Sequence, residues 1–218
     1  MQLPRFAPAS DASVLVVVAN DIGVEASARV HAWTRLLQRA APPWLLDLHP
    51  AYTSLLVEFD LDAVGHAEVK GWLGERAEQL DDVNAPPPRL VELPVRYGGE
   101  DGPDLAVLAE HARLSLDEVV RRHAAATYTV AFLGFLPGFA YLLGLPASLR
   151  MPRLAVPRTR VPAGSVGIGD AQTGVYPAES PGGWRIIGRT ERALGADWVA
   201  PGDRVRFVDV RCAGGAPS

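Results

Sequence analysis

The chain has 218 residues, a formal net charge of −4 and 48% hydrophobic residues, which is enough for one large folded domain or two small ones. The acidic balance argues against nonspecific nucleic-acid binding, and no apolar run approaches the length that crosses a bilayer. The N-terminus lacks the apolar core of a signal peptide, and the single cysteine, Cys212, cannot form an internal disulfide. We therefore predict a cytoplasmic protein without a nucleic-acid or membrane partner.

The basic residues are almost all arginines. Lys70 is the only lysine, so the other 20 of the 21 basic side chains are Arg. A phosphate-binding P-loop needs a Gly-Lys-Ser/Thr step, whereas Lys70 follows Val69 and precedes Gly71. Lys70 also falls in a predicted surface helix, which does not favour Schiff-base chemistry or biotin attachment there.

The first 80 residues alternate between strand and helix patterns. Residues 12–18 form a continuous apolar run that is rich in β-branched residues, as in a buried strand. Apolar residues recur at helical spacing in two later segments. The predicted elements after the first strand are a helix at 24–40, strands at 44–48 and 52–59 that are joined through His49 and Pro50, and a helix at 63–80. This β-α-β-β-α order predicts a ferredoxin-like two-layer α/β domain, with residues 90–96 as a candidate further strand.

A proline run separates this region from the rest of the chain. Three prolines in succession, at 86–88, favour extended and non-helical backbone, which makes a stiff connector. We therefore predict an N-terminal domain at 1–85, a linker at 86–89 and a second domain at 90–212.

The second half begins with a mixed pattern and then becomes strand-rich. After a strand at 90–97, a helix is predicted at 103–111, and Ser115 with Glu118 has the form of a capping box that opens another. The helix pair is not interpreted as a DNA-binding motif, because its charge is mixed and a strand follows at 128–132. Short strands then alternate with turn signals as far as Val210, which predicts a small β-barrel and an α+β chain overall.

Residues 132–190 hold most of the special-geometry residues of the chain. Pro-Gly, Gly-Gly and Pro-Ala-Gly steps encode tight turns at fixed points, and aromatic and polar side chains stand between them. Four motifs follow one another: Gly-Phe-Leu-Pro-Gly-Phe-Ala-Tyr-Leu at 134–142, Val-Pro-Ala-Gly-Ser-Val-Gly-Ile at 161–168, Gln-Thr-Gly-Val-Tyr-Pro at 172–177 and Pro-Gly-Gly-Trp at 181–184.

These four motifs resemble the B-subunit family of bacterial 5-oxoprolinase, also known as the KipI-like or allophanate-hydrolase-subunit-1 family. The resemblance covers roughly residues 91–190; where the family commonly has Gly-Gly, this chain has Gly169 and Asp170. It implies a cyclophilin-like barrel for the second half. It also implies ATP-dependent hydrolysis of 5-oxo-L-proline to L-glutamate with partners that resemble the A and C subunits of 5-oxoprolinase, and with ATP, accompanied by Mg²⁺, as co-substrate.

Familiar catalytic arrangements are absent from the motif run. Ser165 stands in Ala-Gly-Ser-Val-Gly, close to the Gly-x-Ser-x-Gly turn of hydrolases, but no histidine follows it in the chain and turn residues replace the helix. We interpret Ser165 as a turn residue or a ligand hydrogen bonder. The glycine-rich stretch at 164–169 is interpreted as a barrel turn, with anion binding as the alternative.

The five histidines do not form a metal site in the sequence, because no pair has metal-ligand spacing. His123 precedes the strand that leads into the motif run. We expect it at the surface or in a helix cap, with reach into a site as the alternative.

The recognition residues are taken from the turns of the motif run. Arg153, Arg158 and Arg160 suit a carboxylate or a phosphoryl group, with surface salt bridging as the alternative, and Arg158 is preferred. Amide and hydroxyl side chains suit a lactam, and the rings of Phe135, Phe139, Tyr141 and Trp184 could wall a pocket, with plain core packing as the alternative. Packing is the preferred interpretation for Phe132 and Phe135. The predicted substrate-binding residues are Arg158, Ser165, Gln172, Thr173, Tyr176, Trp184 and Phe139, and we expect Arg158, Gln172, Thr173 and Trp184 to share one pocket. No catalytic residue is assigned.

The acid–base inventory of the motif run is poor. It has no His or Lys, and before Glu191 its only acidic residues are Asp170 and Glu179. The sequence therefore predicts part of an active site rather than a whole one. Two alternatives to a role in 5-oxoprolinase rest on the same resemblance: a regulatory protein that inhibits a sensor histidine kinase, and a carboxyltransferase-type module of a urea carboxylase or allophanate hydrolase system.

Overall fold

The structure is a computed structural model that describes residues 4–80 and 87–210. The chain divides into two compact units, Met1–Pro87 and Pro88–Ser218. Residues 81–86, which include Pro86 of the predicted linker at 86–89, and the single cysteine, Cys212, lie outside the described residues.

The first unit is a four-stranded antiparallel sheet with two helices. Its elements are β1 Arg5–Ser10, β2 Ser13–Val17, α1 Val24–Arg39, β3 Leu45–Pro50, β4 Ser54–Phe59 and α2 His66–Ala77. The strand order is β1-β2-β4-β3. Alternate residues of β2 and β4, such as Val14, Val16 and Val57, share one core cluster with Trp33 of α1 and Leu73 of α2. Both helices therefore cover the same face of the sheet, in the ferredoxin-like two-layer arrangement that the sequence predicts.

The fourth strand of this sheet is not the predicted one. Residues 90–96 belong to the second unit, and β1 takes the edge position instead, with Arg5 opposite Val17. Pro8 obscures the strand pattern in the sequence, but an edge strand tolerates proline because one row of its N–H groups faces outward. The same reasoning explains why β3, the other edge, continues through His49 and Pro50 rather than ending before them.

The second unit is a closed seven-stranded barrel with two helices. Its strands are β5 Leu90–Tyr97, β6 Thr127–Leu133, β7 Ala140–Leu143, β8 Arg158–Val161, β9 Ser165–Gly169, β10 Gln172–Val175, β11 Ser180–Gly182, β12 Arg185–Arg189 and β13 Arg204–Asp209. The order around the barrel is β10-β7-β6-β13-β5-β12-β9, and β8 pairs with β11 in a separate two-stranded sheet. The prediction of a small barrel is confirmed.

The barrel closes where its first and last strands meet. β5 and β13 pair in parallel, from Leu90 opposite Arg204 to Val95 opposite Asp209. The Asp203 carboxylate fixes this junction, because it accepts hydrogen bonds from the Arg89 backbone N–H at 3.2 Å and from the Arg89 side chain at 2.6 and 3.0 Å.

Both predicted helices of the second unit are present, as α3 Leu105–Ala112 and α4 Leu116–Ala125. Pro103 lies just before α3 rather than in its first turn. Ser115 is the N-cap of α4, and its hydroxyl accepts a hydrogen bond from the Glu118 N–H at 3.2 Å. This bond satisfies one of the N–H groups that a helix start leaves without a partner.

His123 lies inside the barrel core, contrary to the expectation of a surface or capping role. It is completely buried and stacks on Phe207 with ring centroids 4.6 Å apart. Thr173 Oγ1 donates to the Gly167 carbonyl, so the His123 Nε2–H must donate to Thr173 Oγ1 at 3.0 Å, and Nδ1 accepts from the Tyr97 hydroxyl at 2.8 Å. This arrangement requires a neutral ring, and burial lowers the pKa of His123 to about 3.

The buried neutral histidine predicts a loss of stability in acid. Unfolded His123 takes up a proton below its ordinary pKa of about 6.5, whereas the folded ring does not. Between pH 6.5 and 4.5 the free energy of unfolding should therefore fall by about 1.4 kcal/mol per pH unit more in the wild type than in His123→Gln. Urea denaturation across this range measures the difference. His111→Gln, which removes an exposed histidine of α3, is the control, and parallel curves for wild type and His123→Gln would contradict the assignment.

We also predict that the second unit folds by itself, because each unit has its own core cluster. A fragment that starts at Pro88 keeps the Arg89 bonds to Asp203 and should melt cooperatively with dispersed amide NMR signals. An Asp203→Asn fragment should melt at a lower temperature, because the arginine loses its charged partner. A wild-type fragment without dispersed signals would show that the first unit is needed for folding.

Candidate ligand-binding site

Three of the predicted site residues meet in an aromatic cluster at the side of the barrel. Phe139, Tyr176 and Trp184 share a core cluster with Val161 and Ile186, separate from the main barrel core. They wall a cavity of about 340 Å³, a size within the usual range of small-molecule sites. Its lining consists of Phe135, Phe139, Tyr141, Arg153, Leu154, Pro157, Tyr176, Pro181, Gly182, Gly183 and Trp184.

Phe139 is the centre of the cluster. Its ring makes edge-to-face contacts with Phe135, Tyr141, Tyr176 and Trp184 at centroid distances of 5.0 to 5.5 Å. Edge-to-face pairs of this kind each contribute about 0.5–1.5 kcal/mol beyond the area that they bury. The walls are therefore mutually supported and largely preformed.

Glycines let the aromatic rings lie directly on the backbone. A Cβ on Gly169 of β9 would be 2.6 Å from the Trp184 indole, and one on Gly182 would be 2.8 Å from Tyr176 Cζ. These close approaches explain why the motif run needs glycine at both places. The Gly-Gly-Trp step thus brings Trp184 onto β9, with Tyr176 packed against the glycine backbone.

Phe135 stands at the mouth of the cavity in a strained conformation. Its φ of 70° lies in the left-handed region that non-glycine residues rarely adopt, and the side chain is 58% exposed. The interpretation of Phe135 as a packing residue is therefore incomplete. The loop is fixed on its other side, where Trp198 Nε1 donates to the Gly138 carbonyl at 2.7 Å. Strain of this kind is often found at binding sites.

The polar groups of the cavity are hydroxyls and one guanidinium. Burial raises the pKa of the Tyr141 and Tyr176 phenols, so both stay protonated at neutral pH. The Arg153 Cζ lies 5.7 Å from the Trp184 ring centroid, and Arg153 Nε is 3.0 Å from the Asp170 carboxylate. The site can hold a flat ligand between rings and bind an anionic group, but no lining residue is His, Asp, Glu or Lys.

Arg158 does not line this cavity and is held by a structural contact. Its Nη2 is 2.8 Å from Asp104 Oδ1, and its Nη1 donates to the Trp184 carbonyl at 3.4 Å. The other oxygen of Asp104 accepts from the Ile186 N–H at 2.7 Å. Loss of Arg158 would leave a buried carboxylate without its cation, at a cost of about 1–3 kcal/mol. An Arg158→Ala variant is therefore expected to be less stable, so its activity alone would not test substrate contact.

Ser165, Gln172 and Thr173 lie on β9 and β10 in the barrel wall, and none lines the cavity. The Ser165 hydroxyl donates to the Pro162 carbonyl at 2.7 Å, which matches its interpretation as a turn residue. Gln172 is buried, and Thr173 is fully buried against His123. Of the four residues expected in one pocket, only Trp184 lines the cavity that forms here. Whether the other three bind substrate stays a prediction.

The cavity is also lined by Arg153, which the sequence names as a candidate beside the preferred Arg158, and by Tyr141, which it names as a possible pocket wall. Asp170 has a φ of 57° and pairs with Met151 across an isolated bridge. That bridge brings Arg153, two residues after Met151, beside Asp170. Among residues 4–80 and 87–210, no His, Cys, Asp and Glu side chains group as a metal site, and no helix is long and apolar enough to cross a membrane.

The two-layer unit and the barrel after it correspond to a known class of protein domain. Over residues 4–197 the chain matches the family described as carboxyltransferase domain, subdomain C and D. Two relatives then narrow the class.

The B subunit of 5-oxoprolinase from Escherichia coli O157:H7 is 43% identical over 206 residues, which are 88% of this chain and 91% of the relative. The B subunit of 5-oxoprolinase from Bacillus subtilis (strain 168) is 37% identical over 216 residues, which are 92% of this chain and 90% of the relative. The chain therefore belongs to the B-subunit family of 5-oxoprolinases.

Solved structures share the fold. The protein TTHA0988 superposes with a TM-score of 0.77 at 36% identity over 95% of this chain, which spans 41% of that longer chain. The urea carboxylase of Kluyveromyces lactis superposes with a TM-score of 0.74 over 95% of this chain and 22% of its own. At 18% identity, this second likeness shows the fold alone.

The two adjacent glycines of the cavity are expected to respond differently to substitution by alanine. Gly182→Ala should destabilise the protein by about 1–3 kcal/mol, because the new methyl would press on the buried Tyr176 ring. Gly183→Ala is the matched control, since its Cβ would meet Pro157 at an ordinary 3.6 Å. Thermal denaturation followed by near-UV circular dichroism measures both, and equal melting temperatures would contradict the described packing.

Proposed function

We propose that the chain is one component of an ATP-dependent 5-oxoprolinase in the cytoplasm. With partners that resemble the A and C subunits of this enzyme it would hydrolyse 5-oxo-L-proline to L-glutamate, with ATP and Mg²⁺ as co-substrate. The proposal is supported by the names of the two relatives, which cover most of this chain at 43% and 37% identity.

The lining of the aromatic cavity indicates which chemical steps this chain would perform and which would fall to its partners. It offers ring surfaces, tyrosine hydroxyls and Arg153, but none of the side chains that usually serve as a general base near neutral pH. Because burial raises the pKa of both tyrosines, neither phenol supplies a base there. A cavity of this composition suits binding and orientation, so the proposal assigns the proton transfers to a partner protein.

The role of ATP follows from the chemistry of the substrate. A lactam is a stable amide, and its carbonyl carbon is a weak electrophile. Transfer of the ATP γ-phosphoryl group to the lactam oxygen would release ADP, make attack by water on the ring carbon easier and lower the barrier to ring opening. Cleavage of the C–N bond would then leave an acyl phosphate, which a second water would hydrolyse to glutamate and phosphate. The present chain would hold the lactam in place for these steps.

A second candidate is a carboxyltransferase-type module that acts on a urea-derived substrate. The family description and the fold of the Kluyveromyces lactis urea carboxylase favour it, although that likeness extends to the fold only. Such a module would need a carboxylated biotin carrier as its partner. The two candidates differ in the co-substrate that the assembled proteins consume.

Partner dependence is the test. Glutamate release from 5-oxoproline and ATP should be absent for the purified chain, absent for the A and C subunits together, and present when all three are combined. Turnover by the purified chain alone would contradict the proposal, because the cavity would then not need a partner for acid–base chemistry. Carboxyl transfer from carboxybiotin without glutamate release by the three proteins would favour the second candidate.

A further inference from the structure

Two arginines lie near the aromatic cavity, and their surroundings differ. Arg158 faces a carboxylate that is itself fixed: Asp104 is buried and bonded to the Ile186 N–H. Exchange of this partner for a ligand would leave the buried Asp104 carboxylate without its cation, which is costly. Arg158 is therefore a poor anion receptor in this structure.

Arg153 is poised for exchange. It lines the cavity and stands over Trp184, and its guanidinium pairs with Asp170 at 3.0 Å. The side chains of this pair are 52% and 60% exposed. An exposed pair contributes little, about 0–1 kcal/mol, and either member regains water when the pair opens. A carboxylate inside the cavity would meet the guanidinium where the aromatic walls have already removed part of the solvent.

The backbone keeps Asp170 in this competing position. The residue lies in the turn between β9 and β10 with a φ of 57°, and its N–H and C=O both bond to Met151 at 2.9 and 3.1 Å. Asp170 therefore cannot move away as a unit, but its side chain can rotate into solvent. Glycine adopts this φ without strain, so Asp170→Gly removes the carboxylate and keeps the turn.

We propose that Arg153 is the carboxylate receptor of the cavity and that Asp170 holds the guanidinium until a ligand carboxylate replaces it. The ligand class is a small planar ring that carries one carboxylate, with the ring against Trp184 and Phe139 and a polar ring group toward the tyrosine hydroxyls. The identification of this ligand as 5-oxo-L-proline rests on the proposed function.

Binding of 5-oxo-L-proline to the purified full-length chain tests this assignment. Titration calorimetry and tryptophan fluorescence, to which Trp184 contributes, measure it up to millimolar ligand concentration. Arg153→Gln should weaken binding about tenfold or more, because a charged hydrogen bond is lost. Arg153→Lys should recover part of the loss. Asp170→Gly should strengthen binding several-fold, because the competing carboxylate is gone.

Two controls separate the receptor role from a general effect. Arg160→Gln removes another exposed arginine, which pairs with Glu179 at 2.8 Å and does not line the cavity, and it should leave binding unchanged. The uncharged lactam 2-pyrrolidinone, which lacks the carboxylate, should bind wild type, Arg153→Gln and Asp170→Gly equally. Melting temperatures should stay near wild type in all variants.

Several outcomes would overturn the inference. It fails if wild type shows no binding, if Arg153→Gln and Arg160→Gln behave alike, or if Asp170→Gly binds no better than wild type. If one of these outcomes is found but the three assembled proteins still release glutamate, the proposed function holds and only the role of Arg153 is wrong. Carboxylate-dependent binding together with an inactive assembly would instead contradict the proposed function and leave Arg153 as the receptor.

Discussion

The packing of the Trp184 indole on the bare backbone of β9 is the contact on which the cavity depends. At Gly169 any side chain would fill the space that the indole occupies. Trp184 in turn positions Phe139, whose ring contacts the other walls. Because interiors are close-packed and transmit displacement, a shift of this one ring would move the whole lining. The cavity is thus a property of backbone spacing as much as of aromatic content.

Charge is arranged around this contact in two different ways. The buried carboxylate of Asp104 ties Arg158 to the β12 backbone, where neither group can change partner cheaply. The exposed pair of Arg153 and Asp170 lies beside the indole and can open at little cost. The same two residue types therefore serve as a fixed support and as an exchangeable contact, and burial decides which.

Local patterns in the sequence predict the four α-helices of the described residues but not the long-range pairing of the strands. Helical spacing predicted α1 to within one residue, and the Ser115 cap predicted the start of α4. The edge strand β1 is not predicted because Pro8 obscures its strand pattern, although the pairing with β2 tolerates the proline. Turn residues likewise predicted where the recognition loops lie. They did not predict that Thr173 and His123 are fully buried. Such outcomes depend on which strands become neighbours, and no short motif encodes that.

The parallel pairing of β5 with β13 has a consequence for biosynthesis. These strands open and close the second unit, and Arg89 and Asp203, which clamp them together, are 114 positions apart in the chain. Contacts of such long range are slow to form, because the intervening chain must lose its freedom before the pairing can compensate. On the ribosome, the barrel has an open edge at β5 until β13 has also emerged. The last helix of the first unit ends at residue 77, so this unit has no such wait and can fold while the second unit is still being synthesised.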